Sequence, residues 1–189
     1  MGITNDSLDR LRRHGLIKPC DILELGAQNL YDNAHYGQVA KGYFLSLGIN
    51  HTSWDITPHQ GAIEMDLRNE IIVEKQFDII ADFGTTEHVS DDGFYMAHKN
   101  IHNHCKVGGY IIHENPKTGH WPGHGCNYVT KHFYEQLATL AGYEIIELTE
   151  HFAMGNITDG CNVCVVMKKL LDEPFIDKES FDSLQWFKQ

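Results

Sequence analysis

Apolar positions along the chain gather into seven short runs, several of them closed by a glycine or an acid. Asp21-Ile22-Leu23-Glu24-Leu25-Gly26 and the stretch 77–84 have the length of buried strands, and each runs into a glycine turn. Positions 51–56 are β-rich and end at Asp55 ahead of Pro58, while 62–67 alternate weakly and end near Asp66. A turn at Val107-Gly108-Gly109 leads into a strand at 110–113, and runs at 143–148 and 161–167 complete the set. Helical spacing falls between them, at 36–47 before Gly48, at 91–105, and at 130–141 before Gly142. An opening helix carries Leu8 and Leu11, with Asp6 or Ser7 as its cap and Gly15 as its stop. Strands alternating with helices predict a parallel sheet with helices on both faces. Only a loop separates the last two strands, so one of them is expected to run antiparallel in the edge region. The predicted fold class is α/β, a doubly wound, mostly parallel seven-stranded sheet.

Composition sharpens this picture. The 189 residues, 42% hydrophobic, suit one domain with a substantial core, and no repeat or linker interrupts them. The expectation is a single domain over 1–189, with an N-terminal helix in 1–19, a core in 20–168 and a C-terminal tail in 169–189. No run approaches the roughly 18 apolar residues of a membrane span, and the N-terminus lacks the regions of a signal peptide. Five cysteines without a framework spacing read as reduced thiols. A cytoplasmic protein with no membrane partner is therefore expected. A net charge of −11 speaks against nucleic acid as a partner.

Ligands of open α/β sheets bind outside the carboxyl ends of the strands. Here those ends hold Glu24 with Gly26, Asp55, Asp66, the stretch 82–88, and 113–116. A carboxylate closing the second strand suits two vicinal ribose hydroxyls, and one closing the third can accept from the exocyclic amine of adenine. The alternative for each acid is a solvated turn residue. Histidine occurs 13 times, many of them between His88 and His132. His98 and His102 stand i and i+4 on a helix, but no third ligand has a fixed spacing, so they and His104 read as an exposed helix face. Cys161 and Cys164 form half a zinc motif without a second pair, and read as buried thiols. No metal is expected.

Taken together, these segments resemble class I S-adenosylmethionine-dependent methyltransferases. Asp21-Ile22-Leu23-Glu24-Leu25-Gly26 is similar to the first motif of that family, Trp54-Asp55-Ile56 to the second and Met65-Asp66-Leu67 to the third. Phe77-Asp78-Ile79-Ile80 with Thr86-Glu87-His88-Val89, Lys106-Val107-Gly108-Gly109-Tyr110 and Ala141-Gly142-Tyr143-Glu144-Ile145 continue in the family's order. The resemblance covers 20–168 and implies a Rossmann-like fold with S-adenosyl-L-methionine as cofactor. It places Glu24, Gly26, Ala27 and Gln28 at the methionine end, Asp55 with Ile56 at the ribose, Asp66 and Leu67 at the adenine, and Phe83 and Gly84 around the methyl-donor pocket. One departure is that Gly26 is followed by Ala27-Gln28-Asn29-Leu30, where the family usually has further glycines. A nicotinamide dinucleotide needs a G-x-G-x-x-G turn, and none is present.

The segments after the fourth and fifth strands would form the acceptor side. His113, His120, His124 and Tyr128 are candidate substrate-binding residues, in loops rich in imidazole and aromatic groups. His88 is the candidate general base, with a structural anchor as its alternative. The expected function is methylation of a small-molecule or glycan-type acceptor at an oxygen. The alternatives are another S-adenosylmethionine reaction and a non-catalytic binding module. Oligomeric state is not legible.

Overall fold

The computed structural model describes residues 2–152 and 160–188. All seven predicted strands form, and they join one sheet. β1 (Asp21–Leu25) pairs in parallel with β2 (Asn50–Asp55) on one side and with β4 (Phe77–Asp82) on the other. β3 (Ile63–Glu64) extends the sheet beyond β2, and β5 (Cys105–Pro116) extends it beyond β4. Two short strands, β6 (Asn127–Tyr128) and β9 (Phe187–Lys188), pair separately. At the far side β7 (Tyr143–Phe152) forms the edge, and β8 (Cys161–Lys169) lies between it and β5, antiparallel to both. The antiparallel strand is thus second from the edge.

Alternation along the strands sorts two cores. Ile22, Ile79, Ala81, Ile112 and Val166 meet Leu8 and Leu11 of α1 (Asn5–Arg13) and Ala40 and Phe44 of α2 (Ala40–Ser46). Leu23, Leu25, Ile80, Ile111 and Val165 join the opposite cluster, with α3 (Asp91–His104) and α4 (Lys131–Ala141). Phe94, Ala97, Phe133 and Leu137 are the main helical contributors there. α5 (Lys178–Asp182) adds Phe181, whose ring centroid lies 5.8 Å from that of Phe94. Arg10 of α1, nearly buried, pairs with Glu114 of β5 and, at 3.0 Å, with Glu147 of β7. The opening helix is thereby fastened across the last strands.

Several expectations are corrected. Thr4, not Asp6 or Ser7, caps α1: its hydroxyl accepts the Ser7 N–H while the Ser7 hydroxyl accepts the Thr4 N–H. α2 starts four residues late, because 30–39 closes a turn in which the Leu30 N–H donates to the Gln38 carbonyl at 2.8 Å. The glycine turn ahead of the fifth strand is absorbed into β5 as a register shift, with Gly108 at φ +80°. His98, His102 and His104 are buried rather than exposed. His98 and His104 donate from Nδ1 to the carbonyls of Phe94 and Asn100, one turn back, so each ring fits the core with its own N–H satisfied. His102 donates to the Glu173 carbonyl from Nε2 and accepts from the Tyr143 hydroxyl. Cys161 and Cys164 are buried free thiols, as expected.

Candidate active site

Strands β1, β2 and β4 end level with one another, since Leu25 is in register with both Trp54 and Asp82. Above their carboxyl ends lies a cleft of about 230 Å³. Asp55 and Ile56 after β2, Asp66 and Leu67 after β3, and Thr85 and His88 after β4 form its walls. Met65, Arg68, Val89 and Cys126 also line it; Met65 and Val89 stand inside the resembling segments without an assigned role, and Arg68 and Cys126 carried no sequence signal.

The turn after β1 is built on Gly26, at φ +75°. A Cβ there would stand 2.6 Å from the Thr85 hydroxyl, which donates to the Leu25 carbonyl at 2.7 Å. Gln28 reaches over the same turn and donates from Nε2 to that hydroxyl at 3.3 Å. The Ala27 N–H donates to Asp55 Oδ2 at 2.9 Å, and Thr57 donates its N–H and its hydroxyl to Oδ1 at 2.9 and 3.1 Å. Partial burial alone would raise the Asp55 pKa, but these bonds prevail and hold it below the usual carboxylate range. Asp66 is gripped by the Arg68 guanidinium through both oxygens, at 2.7 to 3.0 Å, and its pKa is lowered by that pairing. It meets the cleft as half of an ion pair.

Glu24 is buried, with Oε2 3.0 Å from His51 Nε2 and no hydrogen-bond partner for Oε1 among the described residues. Burial raises its pKa against the opposing pull of His51. The Phe83 ring belongs to the core beside α1 and α2, while Gly84 turns the chain at φ +84°.

Under the cleft runs a buried polar network. Asp82 Oδ2 accepts from His113 Nδ1 at 2.8 Å, the Thr86 hydroxyl at 2.5 Å and Asn115 Nδ2 at 3.1 Å. Burial would raise this carboxyl, yet the His113 and Thr86 bonds hold its pKa at about 2. His113 is 1% exposed, its ring between those of His98 and Tyr134. It braces the floor of the site and does not form its wall. Asn115 Nδ2 also donates to Glu87 Oε2 at 3.2 Å. Glu87 Oε1, buried and without a hydrogen bond, lies 3.7 Å from Nε2 of both His88 and His124.

Of the four candidate acceptor-side histidines, the structure therefore brings together two. The rings of His88 and His124 are 4.9 Å apart. His120 packs edge-on against Phe152 at 5.9 Å. Tyr128 shapes the loop from within: its hydroxyl donates to the Trp121 carbonyl and accepts the N–H groups of His124 and Gly125. Glu87 is the principal residue that sequence reasoning passed over, although it stands beside His88 in Glu-His-Val.

No protein-family model matches the sequence, and no curated protein matches it. Solved structures do. The 1,6-didemethyltoxoflavin-N1-methyltransferase of Burkholderia thailandensis, with S-adenosylhomocysteine bound, superposes with a TM-score of 0.66 at 15% identity, over 88% of this chain and 78% of that one. N-methyltransferase NodS of Bradyrhizobium japonicum, also with S-adenosylhomocysteine, gives 0.60 at 13% identity, over 88% of each chain. A TehB-like methyltransferase of Corynebacterium glutamicum gives 0.58 at 22% identity, over 85% of each. With its strand order, its antiparallel β8 and these neighbours, the chain has the fold of the class I S-adenosylmethionine-dependent methyltransferases.

Proposed function

We propose that the protein is an S-adenosylmethionine-dependent methyltransferase that acts on a hydroxyl of a small-molecule or glycan-type acceptor. Two neighbours of this fold hold S-adenosylhomocysteine, which supports the same cofactor here. The residues present fit it. Gly26 at positive φ lets the first turn pack against Thr85 and Gln28 at the strand ends, and Asp55, lining the cleft, keeps acceptor capacity toward a ribose. Ile56, Leu67 and Val89 offer apolar walls to a base. The ligand carries no phosphate, so a single glycine in the first turn suffices.

When bound, the cofactor supplies an electrophilic methyl group on a sulfonium. The chain must then orient the acceptor and take up its proton. The observation that carries the oxygen assignment is the cluster of Glu87, His88 and His124 at the rim of the cleft that Asp55 lines. His88, its side chain 48% exposed, is the imidazole that faces the cleft and the group assigned to the acceptor's proton. The hydrogen bond from Gln28 to Thr85, across the gap between two strand ends, favours one rival: a binding module that no longer transfers.

Calorimetry with S-adenosylhomocysteine, then mass spectrometry of small-molecule and glycan pools incubated with methyl-labelled S-adenosylmethionine, tests the reading. Saturable binding and label on an oxygen are expected, with turnover lower by roughly 10²–10⁴ in His88→Ala. A folded protein that binds neither form of the cofactor overturns the proposal. Binding without transfer to any pool favours the module.

A further inference from the structure

We infer that Glu87, His88 and His124 form a site for a divalent transition-metal cation at the acceptor end of the cleft. Its role rests on the methyltransferase reading, whereas its existence does not. One ligand atom from each of Glu87, His88 and His124 lies within 4.8 Å of the others, and Glu87 Oε1 is 3.7 Å from Nε2 of both histidines. Ligand bonds to zinc-like ions run about 2.0–2.2 Å, so three donors around one ion stand somewhat over 3 Å apart. A small closure of the half-exposed His88 ring completes such a triangle.

Two of the donors are otherwise orphans. The Glu87 side chain is fully buried, and its Oε1 has no hydrogen-bond partner among the described residues. His124 Nε2 is likewise buried without one. At 3.7 Å neither imidazole hydrogen-bonds to the carboxylate, so a simple Glu-to-His pairing does not account for the arrangement. A buried carboxylate oxygen and an imidazole nitrogen aimed at one point need a cation or protons between them.

The surroundings are those of a supported ligand set. Asn115 holds Glu87 Oε2, and is itself held by Asp82 and the Tyr134 hydroxyl. The Cys126 N–H donates to the Glu87 carbonyl at 2.7 Å, tying the loop that carries His124 to the turn that carries Glu87. Gly125 allows that approach, since a Cβ there would stand 2.8 Å from the Glu87 carbonyl oxygen. Spacing along the chain predicts no metal because the third ligand comes from a loop 36 residues beyond His88.

Two imidazoles and a carboxylate suit zinc, manganese, iron or cobalt better than calcium or magnesium, and they leave coordination positions open. Those positions face the cleft through His88. An acceptor with one or two adjacent oxygens would be held there, its hydroxyl acidified by the ion. His88 would then serve as a ligand in place of the free base assigned above, and the proton released from the ion-bound hydroxyl would pass to water at the half-exposed rim of the cleft.

The test uses untagged protein stripped with a chelator and titrated with Zn²⁺ in a calorimeter, with Co²⁺ absorbance as a second probe. One equivalent is expected. Glu87→Gln and His124→Ala should each weaken Zn²⁺ binding by at least about 100-fold, the upper end of what loss of an outer-shell partner costs. Both should still bind S-adenosylhomocysteine, and His132→Ala, on the surface, should bind Zn²⁺ as before. If Glu87→Gln fails to fold, His124→Ala on the loop decides. Protein that binds S-adenosylhomocysteine but no stoichiometric Zn²⁺ overturns the site and leaves the methyltransferase reading standing. Undiminished Zn²⁺ in the folded variants places the ion elsewhere and also overturns it. Zn²⁺ lost in the variants, with no cofactor bound by the parent protein, upholds the site and sinks the functional reading.

Discussion

Asp55 accepts three hydrogen bonds from its own surroundings, one from Ala27 and two from Thr57. A carboxylate offers about four acceptor positions, so under the proposed ribose assignment a diol would use the remaining one on Oδ2 and displace the Thr57 hydroxyl. Asp55→Ala removes charge-assisted bonds of roughly 1.5–3 kcal/mol each before water compensates. S-adenosylhomocysteine affinity measured by calorimetry should fall at least about tenfold, or about 1.4 kcal/mol. An unchanged dissociation constant in a folded variant removes the ribose assignment. Gly26→Ala tests the turn itself. A left-handed conformation costs an L-residue about 1–2 kcal/mol, before Thr85 is pushed off the Leu25 carbonyl. The melting temperature should drop by about 2–8 °C, at 2–4 °C per kcal/mol for a chain of this size. An equal melting temperature would mean that the turn does not hold Gly26 at positive φ.

Helix α3 carries an acid-sensitive load. Burial lowers the pKa of His98 from 6.5 to about 3, with the His113 charge acting the same way. His102 falls to about 4, again mainly through burial. In the unfolded chain both regain ordinary values near 6.5. Between pH 6.5 and 4 the unfolded state therefore binds more protons, and stability falls as pH falls. With two protons the slope approaches about 3 kcal/mol per pH unit, and these groups add no slope well above pH 7. Asp82, with a folded pKa of about 2, extends the loss below its ordinary 3.8. Urea midpoints taken at pH 7, 6, 5 and 4.5 should decline ever more steeply, and a flat series would show that the α3 histidines are not held neutral in the core. This load was illegible in the sequence. Histidines at i and i+4 look the same on a wet face as on a buried one. What decides is the carbonyl one turn back and the Phe181 and Tyr143 rings that arrive from distant segments. The strands were legible because buried parallel strands are continuous apolar runs, whereas the late start of α2 depends on a turn closed by backbone bonds alone.

At the scale of the whole molecule, connections run outward from β1 through β2 to β3, then return to β4 and continue to β5. The order reverses between β1 and β4, and crevices at such reversals bind ligands. Gly26 and Thr85 meet at that point, and Gly26, Asp55 and Asp66 could be nominated from strand ends alone, whereas Leu67 came from the family resemblance. Glu87 and His124 could not be paired that way, since a loop contact joins them. A ligand lying across three strand ends binds the folded chain and not the unfolded one, so it must raise stability by mass action. At a concentration a hundredfold above its dissociation constant the gain is about 2.7 kcal/mol. At 2–4 °C per kcal/mol this is a rise of about 5–10 °C in melting temperature. Asp55→Ala, binding tenfold more weakly, should retain about 1.4 kcal/mol at the same concentration, halving the shift rather than abolishing it. NAD should give no shift, because the turn after β1 lacks the glycines that admit a pyrophosphate. Differential scanning fluorimetry with S-adenosylhomocysteine and NAD reads all three outcomes. A shift from S-adenosylhomocysteine that is equal in the wild type and Asp55→Ala would move the ligand away from the β2 end, and a larger shift from NAD would reassign the cleft.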